Sequence, residues 1–201
     1  MINNYKQIKE LLDFRSDDDF YFIQILQRKK DHKIGKVNST NNNSRLVKGY
    51  YIKSLEHFEF VMPEIIQLCE IFQARAGINL NRRSFKKMQL KHISKLVLQL
   101  VDGTHNKAHK AYNSVVGLHN DDIDKKWILD IDGEVNDKLY NLIKDFTYEV
   151  NPNKGNHNII CRIPSKNGEH IITSPFDIRD FHEHFPNIEI HKNNPTNLYI
   201  P

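Results

Sequence analysis

Asp130 and Asp132, in the run Trp127-Ile-Leu-Asp-Ile-Asp132, stand two positions apart in a stretch whose residue types predict a β-strand over 126–132. Side chains alternate across a strand, so both carboxylates project from one face, with Ile128 before them on that face. Like charges held this close raise each other's pKa and cost energy unless a cation lies between them. A pair of hard oxygen donors at a strand end suits Mg²⁺ or Mn²⁺, with substrate phosphates supplying further ligands. The plain alternative is a strand end whose acids face water or cap the next turn.

A second group of candidates lies in Pro164-Ser-Lys-Asn-Gly-Glu-His170. A tight glycine-containing turn between two strands would present backbone N–H groups, the Ser165 hydroxyl, the Lys166 ammonium and the His170 imidazole together. Backbone donors in such a turn make an anion-binding concavity, a lysine adds a point charge and a histidine adds a hydrogen bond, a set that suits a phosphate. An ordinary hairpin with a polar turn accounts for the same residues. Arg82 and Arg83 follow an expected strand over 76–80 and precede a helix that Ser84 would cap, where a guanidinium can reach a phosphate across the mouth of the sheet. Solvated charges at a helix start are the alternative, although positive charge there opposes the helix dipole.

These residues need a scaffold. Aromatic and β-branched runs predict strands over 20–27, 46–52, 158–163 and 170–173, with 188–191 and 197–200 as further candidates. Helical spacing appears over 62–74, with Pro63 in the first turn, and from Ser84 to Gly103, carrying Met88, Ile93, Leu96, Val97 and Leu100. It recurs over 136–146, with Leu139, Leu142, Ile143 and Phe146 on one face, and more briefly over 177–185. Residues 104–124 have weak periodicity and are left unassigned. The Lys-, Asn- and Ser-rich stretch about 29–44 reads as a long polar loop. The expected fold class is α+β: a mixed, largely antiparallel sheet flanked by helices, in a single domain over 1–201.

Composition narrows the function without choosing it. Hydrophobic residues at 39% and charged residues at 27% are globular values, and no apolar run approaches a membrane span. The N-terminal residues lack the pattern of a secretory signal, so the expected location is cytoplasmic. A net charge of +4 permits a nucleic-acid or nucleotide partner without requiring one. Two isolated cysteines, Cys69 and Cys161, supply neither a metal knuckle nor a disulfide framework and read as core residues. The eleven histidines show no strict metal-ligand spacing, and His182 and His184 point to different sides of their short helix.

Taken together, the strand ending Ile128-Leu-Asp-Ile-Asp132 and the later segment Ser165-Lys-Asn-Gly-Glu-His170 resemble, in residues and in chain order, two motifs of the archaeo-eukaryotic primase family, which includes the primase-polymerases of phages and mobile elements. The resemblance implies a primase-polymerase-like catalytic core. It implies that Asp130 and Asp132 hold Mg²⁺ or Mn²⁺ and that Ser165, Lys166 and His170 contact the phosphates of an incoming nucleotide. The family's third motif implies another metal-binding acid on a later strand, Glu189 in Asn187-Ile-Glu-Ile-His191. The expected function is a metal-dependent nucleotidyltransferase acting in DNA replication, in a host cytoplasm if phage-encoded. Its catalytic residues would be Asp130, Asp132 and His170, and its partners nucleoside triphosphates, a DNA or RNA template and a replication protein, with no membrane. Two alternatives stay open: a metal-dependent nuclease using the same acids, and a non-catalytic protein that keeps the scaffold and binds nucleic acid or a nucleotide.

Overall fold

The computed structural model describes residues 1–28, 44–120, 122–150 and 158–201. The expected polar loop about 29–44 lies, Ser44 excepted, outside the described residues, as does most of the turn-rich connector before residue 158. The chain runs β1 (Ile2–Asn3), α1 (Tyr5–Leu11), β2 (Asp19–Gln27), β3 (Arg45–Ile52), α2 (Leu55–Phe72), β4 (Arg75–Ser84) and α3 (Phe85–Val101). A short 3-10 turn (His105–Lys110), α4 (Ala111–Leu118), β5 (Trp127–Asp132) and α5 (Asp137–Glu149) follow. The chain then completes β6 (Ile159–Pro164), β7 (Gly168–Thr173), α6 (Phe181–His184), β8 (Glu189–His191) and β9 (Thr196–Ile200).

The fold is α+β, with two antiparallel sheets where one was expected. The first has the order β1-β9-β4-β2-β3 and the second β6-β7-β5-β8. The last two strands of the chain therefore part company: β8 edges the second sheet beside β5, while β9 enters the first between β1 and β4.

Alternation along the strands builds the layers. On β2, Tyr21, Ile23 and Ile25 join the largest core, under α2, while Phe20 and Phe22 turn to the opposite face and meet Met88 of α3 and Val115 and Val116 of α4. On β5, Leu129 and Ile131 pack against α5 and α6 through Ile143 and Phe181, and Ile128 joins the core of the first sheet. Asp130 and Asp132 share the face of Ile128, so the packing of their neighbours aims both acids toward the space between the sheets.

Buried asparagines tie the sheets together. Asn81 of β4 donates to the carbonyls of Lys126 (3.0 Å) and Lys192 (3.1 Å) and accepts from the Lys126 N–H (2.6 Å). Asn4 donates to Pro164 of the second sheet and Asn197 of the first, each at 2.9 Å. Such bonds satisfy main-chain groups that neither ladder can reach.

Several local expectations need correction. Helix α2 begins seven residues before position 62, because the Ser54 side chain accepts from the His57 N–H as its N-cap, so Pro63 lies inside the helix and not in its first turn. Strand β4 does not stop at Leu80: β2 pairs with it as far as Asp19↔Ser84, which takes Arg82 and Arg83 into the ladder. Ser84 does cap α3, accepting from the Lys87 N–H, but of the expected apolar set only Met88 is buried, and Ile93, Val97 and Leu100 face outward. The unassigned stretch 104–124 contains the 3-10 turn and α4. Among the described residues no helix is long and apolar enough to cross a membrane.

Gly168 is the tightest point in the second sheet. It pairs with Asp132, and a Cβ there would overlap the Ile131 carbonyl oxygen and lie 2.9 Å from both N and O of Gly133. Gly133 itself adopts φ +95°, open to glycine, and donates to the Asn167 carbonyl at 2.7 Å. Backbone atoms cannot swing aside, so Gly168→Ala must part β5 from β7. The expected loss is about 1–3 kcal/mol, read as a lower urea midpoint at constant m-value; an unchanged midpoint would show that these strand ends separate freely.

Candidate functional site

The acids of β5 and the turn between β6 and β7 meet in one cleft of about 620 Å³, within the size range of small-ligand pockets. Asp130, Asp132, Ser165, Lys166 and His170 all line it. The ladder explains the convergence: β7 pairs with β5 so that His170 lies directly opposite Asp130 and Gly168 opposite Asp132. With no side chain on Gly168, the 165–167 turn closes onto the end of β5. That turn is held by the Ser165 N–H donating to the Gly168 carbonyl at 2.8 Å and by the Asn167–Gly133 bond.

Asp130 is the electrostatic centre. His170 Nε2 lies 3.3 Å from Asp130 Oδ1 and His191 Nε2 3.6 Å from Oδ2. The hydrogen bond from His170 is the main cause, followed against the opposing effect of burial by the charges of His170 and His191, that holds the Asp130 carboxyl below its ordinary value. His170 is buried, and its Nδ1 lies 2.8 Å from the hydroxyl of Thr196, itself buried in β9 of the other sheet. The Thr196 contact at Nδ1 and the Asp130 contact at Nε2 together hold the imidazole at one angle.

Glu189 sits opposite Asp130 on β8, with its side chain 78% exposed and Oε2 3.4 Å from His191 Nε2. Asp130 therefore has a neighbour on each side in the sheet, His170 and Glu189. Among the described residues no group of three or more His, Cys, Asp or Glu side chains is placed to hold a metal ion. The donors present fit a different kind of site. Two carboxylates on one strand face, open to a cleft, match a small hard dication that keeps several waters and takes its remaining ligands from phosphate. Asp130 and Asp132 would hold it; Glu189, the expected third donor, does not line the cleft.

Arg82 and Arg83 do not line this cleft. The Arg82 guanidinium is buried against Asp122 (Nη2–Oδ1 3.1 Å), with Asp19 at 3.6 Å and Asp13 at 3.4 Å, and its backbone N–H also donates to Asp122 at 2.8 Å. Arg83 is 1% exposed and donates to the carbonyls of Val116 (2.7 Å) and Asn81 (2.6 Å). Both are structural cations at the end of β4, because the strand continues where a helix-start loop was expected.

Besides Lys166, the cationic side chains that line the cleft are Arg28, just after β2, and Arg75, at the start of β4. Nothing local in the sequence marks either one. His191 was legible: it stands two residues after Glu189 on a strand, so the two must share a face. Neither a family model, nor a curated protein, nor a solved structure matches this chain significantly.

Proposed function

We propose that the cleft binds a nucleoside triphosphate with Mg²⁺ or Mn²⁺ and that the protein is a nucleotidyltransferase of primase-polymerase type. The observation that carries this reading is the meeting of two sequence-distant groups, the acids Asp130 and Asp132 and the segment Ser165, Lys166 and His170, on one cleft. The α+β architecture and the order of these groups along the chain agree with the primase-polymerase-like core that the motifs suggest.

Bound divalent metal would stabilise negative charge on the attacking and leaving oxygens of a phosphoryl transfer. The chain's own contribution is positional. Asp130 and Asp132 present oxygen donors on a rigid strand, and the Asp130 angle is fixed by His170 and His191. Ser165 and Lys166 offer a hydroxyl and an ammonium to the phosphates, and Arg28 and Arg75 neutralise the opposite wall.

One observation favours the non-catalytic alternative. Asp130 already has an imidazole nitrogen beside each oxygen, so both oxygens have partners without metal. Product chemistry separates the readings. With a 5′-labelled primer annealed to a template, Mn²⁺ and nucleoside triphosphates, the proposal expects template-dependent extension that chelation abolishes. Shortening of the label would assign a nuclease, and an unchanged primer that is nevertheless bound would assign a binding protein.

A further inference from the structure

Helix α3 is built inside out. Leu90, Ile93, Val97 and Leu100 recur at steps of three, four and three, which places them on one stripe, yet all four are between 54% and 68% exposed. Leu98 and Val101, 60% and 79% exposed, widen the same face. The side turned to the body of the protein is mostly polar after Met88. Lys95 Nζ donates to Ser114 Oγ of α4 at 2.6 Å, and the His92 ring packs edge-on against Tyr112 at 5.3 Å between centroids. An apolar stripe of this size facing water on a helix that already has a packed side signals a missing partner.

Charge says what the partner is. Residues 85–119, comprising α3, the 3-10 turn and α4, hold six lysines against one acid, Asp102, and no arginine, so this segment alone carries more than the whole chain's net charge of +4. Lys87 and Lys91 flank the stripe on one side and Lys86 stands at its N-terminal end. A second copy would bring a second lysine-rich segment against the first. A bilayer surface is a poorer match, because the outward stripe carries no Trp, Tyr or Phe of the kind that anchors interfacial helices. A nucleic acid has no use for six exposed aliphatic side chains. Alternating steps of three and four suit the ridges and grooves of another helix.

We propose that the outward face of α3 is a docking surface for an acidic amphipathic helix of a partner protein, with the partner's leucine-type residues covering Leu90, Ile93, Val97 and Leu100 and its carboxylates meeting Lys86, Lys87 and Lys91. The surface is independent of the cleft and of its chemistry.

The test uses the full chain and a synthetic three-heptad peptide with leucine at the a and d positions and glutamate at e and g, a sequence that repels its own copies. The expected result is saturable binding by fluorescence anisotropy that weakens about tenfold or more in Ile93→Glu and in Val97→Glu. Both sites are already exposed, so the variants should keep the wild-type thermal midpoint. The same peptide with lysine at e and g should not bind. Absence of binding by the glutamate peptide, equal binding by both peptides, or binding untouched by the variants would each overturn the proposal. So would loss in these variants of wild-type self-association, seen by light scattering, or of adhesion to phosphatidylserine vesicles, since either would give the face to another occupant.

Discussion

Arg82→Met is expected to lower the unfolding free energy by about 3–5 kcal/mol near neutral pH, because removing one partner of a buried ion pair strands the other's charge. The stranded group is Asp122, whose side chain is 2% exposed and whose Oδ1 otherwise faces Arg82 Nη2. Asp13 and Asp19 would lose the same cation, but Asp13 is solvated and adds little. The companion Arg82→Met/Asp122→Leu should recover much of the loss, since it removes the whole pair and not one half. Urea unfolding at constant m-value measures both. A loss below about 1 kcal/mol in the single variant, with nucleotide affinity specifically reduced, would return Arg82 to the role that its sequence position suggested.

Asp130→Ala/Asp132→Ala is expected to reduce metal-dependent nucleotide transfer by about a thousandfold or more, the scale of losing several kcal/mol of transition-state stabilisation. The fold should survive, because Asp132 is exposed and the Asp130 side chain is itself 35% exposed. His170→Gln is the informative companion. It keeps both acids but breaks the relay from Thr196 to Asp130, so its effect reports positioning and should be smaller. Activity that survived in the double variant would remove the acids from the mechanism altogether.

How much of this could be read beforehand depended on whether the signal was local. The strand holding Asp130 and Asp132 was legible because an apolar run ends in the acids, and α5 because Leu139, Leu142, Ile143 and Phe146 recur at helical spacing. The shared site of Asp130 and His170 was legible only as two motifs: their contact is made by pairing across forty residues, which no periodicity encodes. Arg82 and Arg83 misled because their meaning lies in distant carboxylates and carbonyls, Asp122 and Val116 among them, and because Asp19 and Ser84 extend the pairing past Leu80. Helix α3 misled in a different way. Its apolar spacing predicts a buried face, and the spacing is present, but the surface that would bury it is not on this chain's described residues. The split of β8 and β9 between sheets is set by their pairing with β5 and β4, distant partners without a local mark.

The central claim is that Asp130 and Asp132 hold metal for a nucleotide bound in the cleft. Calorimetric titration of Mn²⁺ together with a non-hydrolysable nucleoside triphosphate, into the wild type and into Asp130→Ala/Asp132→Ala, tests it most directly. The predicted result is saturable binding by the wild type that requires the metal and disappears in the double variant. Binding of equal strength in both proteins, or none in the wild type, would contradict it.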